Sequence, residues 1–409
     1  MMDSSTAGPS ATGKEFIVLM AAIMSTVAVS IDAMLPALAA IGAGLGVADL
    51  RQTQFVIVCF FGGMALGQLF CGPLSDALGR RRLLLGSYAG YLVGTLICLF
   101  TPSFEGLLVG RVVQGLAAAG PYVSVLSIVR DRHTGAAMAS VMSLVTMIFI
   151  MVPVVAPSLG QLVLLVASWR EVFLMLLIYG GGVAFWAWAR LAESLPAAQR
   201  RPFRVRTILE GARAVLATRA TVCYMLCSGC IFGILIGYLN SCLLIFQELY
   251  GVGDLFAVYC GGLALTLGLT SLLNSHLVQR FGMRAIVRGA LLTVLVTSLA
   301  LVAYQAAIVP TLLVFMAYAT VLFFCLGLTF GNINALAMEP MGDIAGTASA
   351  AIGFTSSVIS LLTGTVIGLA YNATIAPLLI GAAVLAGVSL VLMHLAPGAA
   401  EPTGPLEPI

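Results

Sequence analysis

Residues 55–82 read FVIVCFFGGMALGQLFCGPLSDALGRRR. The stretch 55–74 contains no charged side chain. About 20 apolar residues at 1.5 Å rise are what a helix needs to cross a hydrocarbon core of roughly 30 Å. The chain then turns polar at once, with the acid Asp76 followed by the bases Arg80, Arg81 and Arg82. A membrane span running into a short basic turn predicts a helical hairpin with its turn on one side of a bilayer.

The rest of the 409 residues repeats this alternation. Only 9% of the chain is charged and 61% is hydrophobic, against roughly 25% charged in a soluble domain. Long apolar runs predict helices over 16–38, 55–74, 83–100, 105–129, 136–166 and 170–189, and again over 221–247, 256–278, 285–304, 311–338, 346–371 and 375–395. The expected fold is therefore an all-α membrane protein of twelve transmembrane helices in two six-helix bundles. The expected division is a first bundle over 1–190, a charged linker with a surface helix over 191–219, and a second bundle with a short tail over 220–409. The first apolar run has no small-residue cleavage site at its end and reads as a retained helix rather than a signal peptide.

With the N-terminus inside, every basic residue except Arg51, Arg111 and Arg170 lies on the cytoplasmic side. The positive-inside rule then puts both termini in the cytoplasm. The halves echo one another after their second helices, where Gly79-Arg80-Arg81 is matched by Gly282-Met283-Arg284 about half a chain later. Such a repeat predicts bundles related by an axis along the membrane normal, with a substrate site between them near mid-membrane. Glycines at four-residue spacing, Gly86, Gly90 and Gly94, Gly229, Gly233 and Gly237, Gly327 and Gly331, and Gly364 and Gly368, predict helix contact lines. The nine cysteines read as small packing residues, including Cys223, Cys227 and Cys230 on one stripe, and no metal or cofactor site is expected.

Two charged residues, Asp32 and Arg111, fall well inside predicted helices, away from their first and last turns. Asp32 in the first helix sits among Val29, Ile31, Met34 and Leu35, where an ionised carboxylate is costly enough to imply function. Arg111 in the fourth, antiparallel helix lies at a matching depth, so the two are expected to face one another. Desolvation disfavours the charge on Asp32 and a nearby guanidinium favours it, and a carboxylate balanced between the two can take up and release a proton. Asp32 is thus the expected proton-coupling residue, adjusted by Arg111 and Gln114. Asp76, with Gly79, Arg80 and Arg81, is expected to latch one conformation, holding the start of the eleventh helix at Gly346-Thr347 through its dipole. Pro153, Pro157 and Gly160 break up the fifth helix. Met34, Tyr122, Tyr238, Asn240 and Asn332 are the candidate cavity residues.

At these positions the sequence resembles the major facilitator superfamily, and within it the drug/proton antiporters of the bicyclomycin and chloramphenicol resistance type. The run 72–82 is similar to the superfamily signature between helices 2 and 3. Leu107, Arg111, Gln114 and Gly115 resemble its fourth-helix motif, Asp32-Ala33-Met34-Leu35-Pro36-Ala37-Leu38 the first-helix run of the subgroup, and Ala156-Pro157-Ser158-Leu159-Gly160 the fifth-helix antiporter motif. Trp169-Arg170 with Phe173, and the run 345–350, resemble the openings of helices 6 and 11. Ala77, Ala117, Ala156 and the pair Ala33-Met34 depart from the usual residues. The resemblance implies proton-coupled efflux of small drug-like molecules from a bacterial inner membrane by alternating access. The expected partners are a small-molecule substrate, protons and lipid, with no nucleic acid, in a monomer driven by the proton gradient. A proton symporter importing a nutrient is the alternative on the same fold, and a channel is a further rival. No nucleophile with its base, nucleotide loop or ligand cluster points to an enzyme.

Overall fold

The computed structural model describes residues 13–396 apart from residues 134 and 201, with backbone alone at scattered positions, chiefly within 135–150, 205–208 and 342–347. Its helices, in order, are α1 (Gly13–Asp32), α2 (Leu38–Gly44), α3 (Phe55–Leu78), α4 (Arg80–Phe100), α5 (Phe104–Arg132), α6 (Gly135–Val166) and α7 (Trp169–Arg190). There follow α8 (Val205–Ala217), α9 (Arg219–Leu244), α10 (Phe256–Phe281), α11 (Met283–Ala307), α12 (Leu312–Met338), α13 (Ala345–Leu369) and α14 (Ala376–Leu395). Among the described residues, eleven helical stretches are long and apolar enough to cross a membrane. α6, at 32 residues, has the length of another crossing, and its second part, Met151–Val166, is apolar.

Local chemistry sets the boundaries. Pro36 has no N–H to offer the carbonyl of Asp32 four residues back, and its ring clashes there. α1 accordingly ends at Asp32, and the chain passes through a tight turn at Leu35–Ala37 before resuming as α2. Ser103 caps α5 by accepting from the Gly106 N–H at 3.1 Å. Ser168 and Glu171 form a reciprocal capping box at the start of α7. The turns α3–α4 and α10–α11 pivot on Gly79 and Gly282, at φ +99° and +75°, where a side chain would be strained. The matched pair shows the internal repeat in backbone form.

α1 and α3–α7 pack on one another, as do α9–α14, and the two groups meet chiefly where α3 crosses α13 and α6 crosses α10. Glycine contact lines are real where glycines face a neighbour. Gly229, Gly233 and Gly237 of α9 lie against Ile359, Thr363 and Ile367 of α13, and Gly364 answers against Ile236. Gly94 lets α4 approach the backbone of α5 at Gln114, and Gly327 seats α12 on α10. Gly86 and Gly331 meet nothing, so the four-residue spacing overstates those two lines. Between helices, Thr26 bonds Tyr88 at 2.8 Å, Ser30 bonds Tyr91 at 2.6 Å and Ser298 bonds Tyr318 at 2.9 Å. Each such bond is worth roughly 0.6 kcal/mol in a membrane interior. Phe100, Val166 and Leu313, each at least three-quarters exposed, belong to the apolar outer surface that lipid covers.

Candidate functional site

The end of the molecule that carries the α3–α4 turn and residues 191–217 is called the linker end, and the opposite one the far end. Asp32 stands at the helix break in the far-end half of α1, half-buried. Among the described residues no donor or cation bonds its carboxylate. α6 abuts the break, because Gly160 lies directly on the backbone of Ala33 and a Cβ there would overlap it. On another side Asp32 comes within electrostatic reach of Cys242 in α9, so the acid is set against the second group of helices. Met34, two residues further on, is fully buried.

Arg111 does not pair with Asp32, contrary to the expectation from depth. Its buried guanidinium donates to the Val56 carbonyl at 2.9 Å, to Gln114 Oε1 at 2.6 Å and to the Ser30 carbonyl at 3.2 Å, and lies 4.5 Å over the Phe60 ring. Gln114 donates onward to Thr95 Oγ1 at 2.8 Å. The physical reason is azimuth. Ser30 and Asp32 are neighbours in height but lie some 200° apart around a helix of 3.6 residues per turn. Arg111 thus holds α1, α3 and α5 together, one face away from the acid. Its charge is spread over backbone dipoles and an aromatic face rather than cancelled by a carboxylate.

At the linker end Arg80 is buried at 4% exposure, not a free anchor. It bonds Asp76 at 2.5 Å, Asp131 of α5 at 3.0 Å and Ser75 at 3.0 Å. Glu193 accepts from the Arg80 backbone N–H at 2.8 Å and packs against Gly79, where a side chain would overlap it. Arg81 donates to the Trp188 carbonyl at 2.7 Å. The described partners of Asp76 are therefore in its own half, with Arg80 in place of an eleventh-helix terminus. Gly346 and Thr347 lie outside the residues whose side-chain surroundings are described.

The candidate cavity residues scatter. Tyr238 is buried with its hydroxyl 3.8 Å from Cys260 Sγ and its ring edge-on to Phe323. Asn332 is engaged with Asn274 at 2.8 Å, bolting α12 to α10 rather than offering a free amide. Asn240 donates to the Gly364 carbonyl at 3.3 Å. Tyr122 is half-buried on α5. Pro153 and Pro157 sit inside an unbroken α6, whose Val154 carbonyl meets Gly261 of α10, so the helix spans from the α1 break to the second group. Glu193, Asp131 and Gln54 were not legible as site residues, since polar side chains near helix ends are the default in a membrane protein.

A repeated pair of helical groups, matched glycine turns and ionisable groups held inside an apolar interior define a multi-pass membrane transporter. The chain belongs to the Major Facilitator Superfamily, whose family model matches residues 16–365. It is 30% identical over 378 residues to the MFS-type transporter YdgK of Bacillus subtilis (strain 168), covering 88% of this chain and 90% of the relative. It is 28% identical over 367 residues to a bicyclomycin resistance protein homologue of Haemophilus influenzae, with 88% and 90% covered. The crystal structure of the peptide transporter POT in complex with sulfate superposes with a TM-score of 0.74 at 11% identity, over 95% of this chain and 96% of that one, a likeness of fold. The protein is thus a transporter of small molecules and not an enzyme.

Proposed function

We propose that the protein exports small drug-like molecules in exchange for protons, with Asp32 as the coupling carboxylate. The observation that carries this reading is the position of Asp32: a lone acid at a helix break in the membrane interior, without a described partner, against the second group of helices. Closing the two groups around an ionised, uncompensated carboxylate is costly, whereas a protonated one is tolerated there. Protonation therefore favours closure at the far end and delivers the proton to the linker end. Deprotonation, on substrate binding, favours reopening toward the far side. Inward proton flow and outward substrate flow are linked by that single group.

The bicyclomycin resistance homologue supports a drug-like cargo. The described interior is largely apolar, which suits neutral or weakly cationic amphiphiles, phenicols among them. In this reading 1–190 and 220–409 are the rocking bundles and 191–219 the tether. In this reading the linker end and both termini face the cytoplasm and the protein sits in a bacterial inner membrane, a topology supported by the basic residues gathered at that end. The Arg80–Asp76–Asp131 cluster, tied to Glu193, is the conformational latch on that side, and the transporter works as a monomer.

The test is the direction of coupling. Inverted vesicles carrying an imposed proton gradient and a pH dye are challenged with a panel of antibiotics and fluorescent amphiphiles. Substrate addition is expected to release protons from the vesicle lumen as drug enters. Co-directional movement of substrate and protons would replace export with symport, and flux indifferent to the gradient would remove coupling altogether.

A further inference from the structure

The far end is shut by a contact that the coupling carboxylate does not explain. Gln54, immediately before α3, is only 3% exposed. Its amide lies over Gly368 of α13 so closely that a Cβ on residue 368 would overlap Oε1. Asn240 of α9, 4% exposed, completes the seam, its Cβ 2.7 Å from the same point. Neither Nε2 nor Oε1 of Gln54 has a hydrogen-bond partner among the described residues, and Oδ1 of Asn240 has none either. Buried polar atoms are nearly always satisfied, so three orphans converging from facing halves require an explanation.

Just beyond the seam lies a cavity of about 440 Å³ lined by Asp49, Arg51, Glu248, Tyr371 and Asn372. Arg51, chelated by Asp49 at 2.8 Å, feels the charge of Glu248 from the other half. Solvent and charge thus reach to the edge of the dehydrated amides.

We infer that Gln54 is a positioning residue of the far-end gate, setting how readily the halves part. Its shape fills the hollow that Gly368 leaves and holds the gate shut. Its stripped amide opposes that closure, because opening lets water satisfy the orphaned atoms. The two effects nearly offset, which keeps both states accessible. The inference rests on the alternating-access reading above and adds the residue that balances it.

The experiment places spin labels at Ala48 and Asn372, exposed residues of opposite halves that both line the cavity. Labels are carried on keto-bearing amino acids, so the native cysteines stay. The full chain in lipid nanodiscs is measured by pulsed double-resonance distance distributions with Gln, Met or Ala at position 54. Gln54→Met keeps the volume and removes the dehydrated atoms, and should raise the closed-to-open ratio about fivefold. Gln54→Ala removes the body as well, and should fall below Met by at least about fivefold. If Met is no more closed than wild type, dehydration does not oppose closure. If Ala is as closed as Met, the contact does not hold the gate. Either result overturns the inference. A wild type with one short distance that neither pH nor a phenicol changes would instead overturn alternating access at this end, and this inference with it.

Discussion

The two halves share a backbone plan but not a chemistry. Gly79 and Gly282 make the same left-handed turn after the second crossing of each half. At the offset that relates those glycines, Thr95 of α4 is matched by Ser298 of α11. Thr95 accepts from Gln114, which in turn holds the buried Arg111, whereas Ser298 bonds the neutral phenol of Tyr318. At the turns themselves, Arg80, clasped by two carboxylates, stands where the second half has Met283, whereas the matched Arg81 and Arg284 both donate to backbone carbonyls late in their own half, that of Trp188 and those of Met393 and Ala396. Duplication supplied the frame twice, and among the described residues the charge in the helix interiors stands in the first half. In the proposed mechanism the second half is the surface against which Asp32 is exposed or covered.

Substitutions in the two halves test this contrast. Arg111→Leu leaves the Val56 and Ser30 carbonyls and Gln114 Oε1 without their donor, and should cost about 3–5 kcal/mol over the three acceptors, read as a large fall in melting temperature in detergent. Tyr318→Phe, which leaves only the Ser298 hydroxyl without its partner, should cost about 1 kcal/mol. Equal losses would mean that the second half carries comparable polar load. At the turns, Arg80→Ala should destabilise by about 2–3 kcal/mol, since it leaves Asp131 with Ser194 alone and Asp76 to water. Arg284→Ala should cost only about 1–2 kcal/mol, because carbonyls are more cheaply released. Among glycines, Gly94→Ala drives a methyl into the Gln114 backbone and should cost about 1–3 kcal/mol by the same assay. Gly331→Ala meets open space and should leave the melting temperature within error, or raise it slightly by helix propensity.

Much of this was legible before any coordinates, because a bilayer leaves few choices. Runs of about 20 apolar residues must be helices, and the repeated glycine turn announced the duplication. The depth of Asp32 and Arg111 was also readable by counting residues. Their orientation was not, since height along a helix says nothing about azimuth, and the break at Pro36 adds a turn that periodicity cannot follow. That Asn332 would bond another helix fits an amide in a membrane helix, but its partner was not readable, because Asn274 lies on a helix two crossings away in sequence. Gln54 carried no signal at all. Its significance lies in Gly368, more than three hundred residues along the chain, and only packing brings the two together.

In the proposed mechanism, proton coupling resides in Asp32 of the first half. The most direct measurement is substrate-evoked proton release from purified protein in lightly buffered detergent, comparing wild type with Asp32→Asn at equal substrate binding. A burst of protons is expected from wild type on addition of substrate and none from the variant, with the fold of both intact by melting temperature. Proton release from Asp32→Asn equal to that of wild type would contradict it and send the search for the coupling group elsewhere.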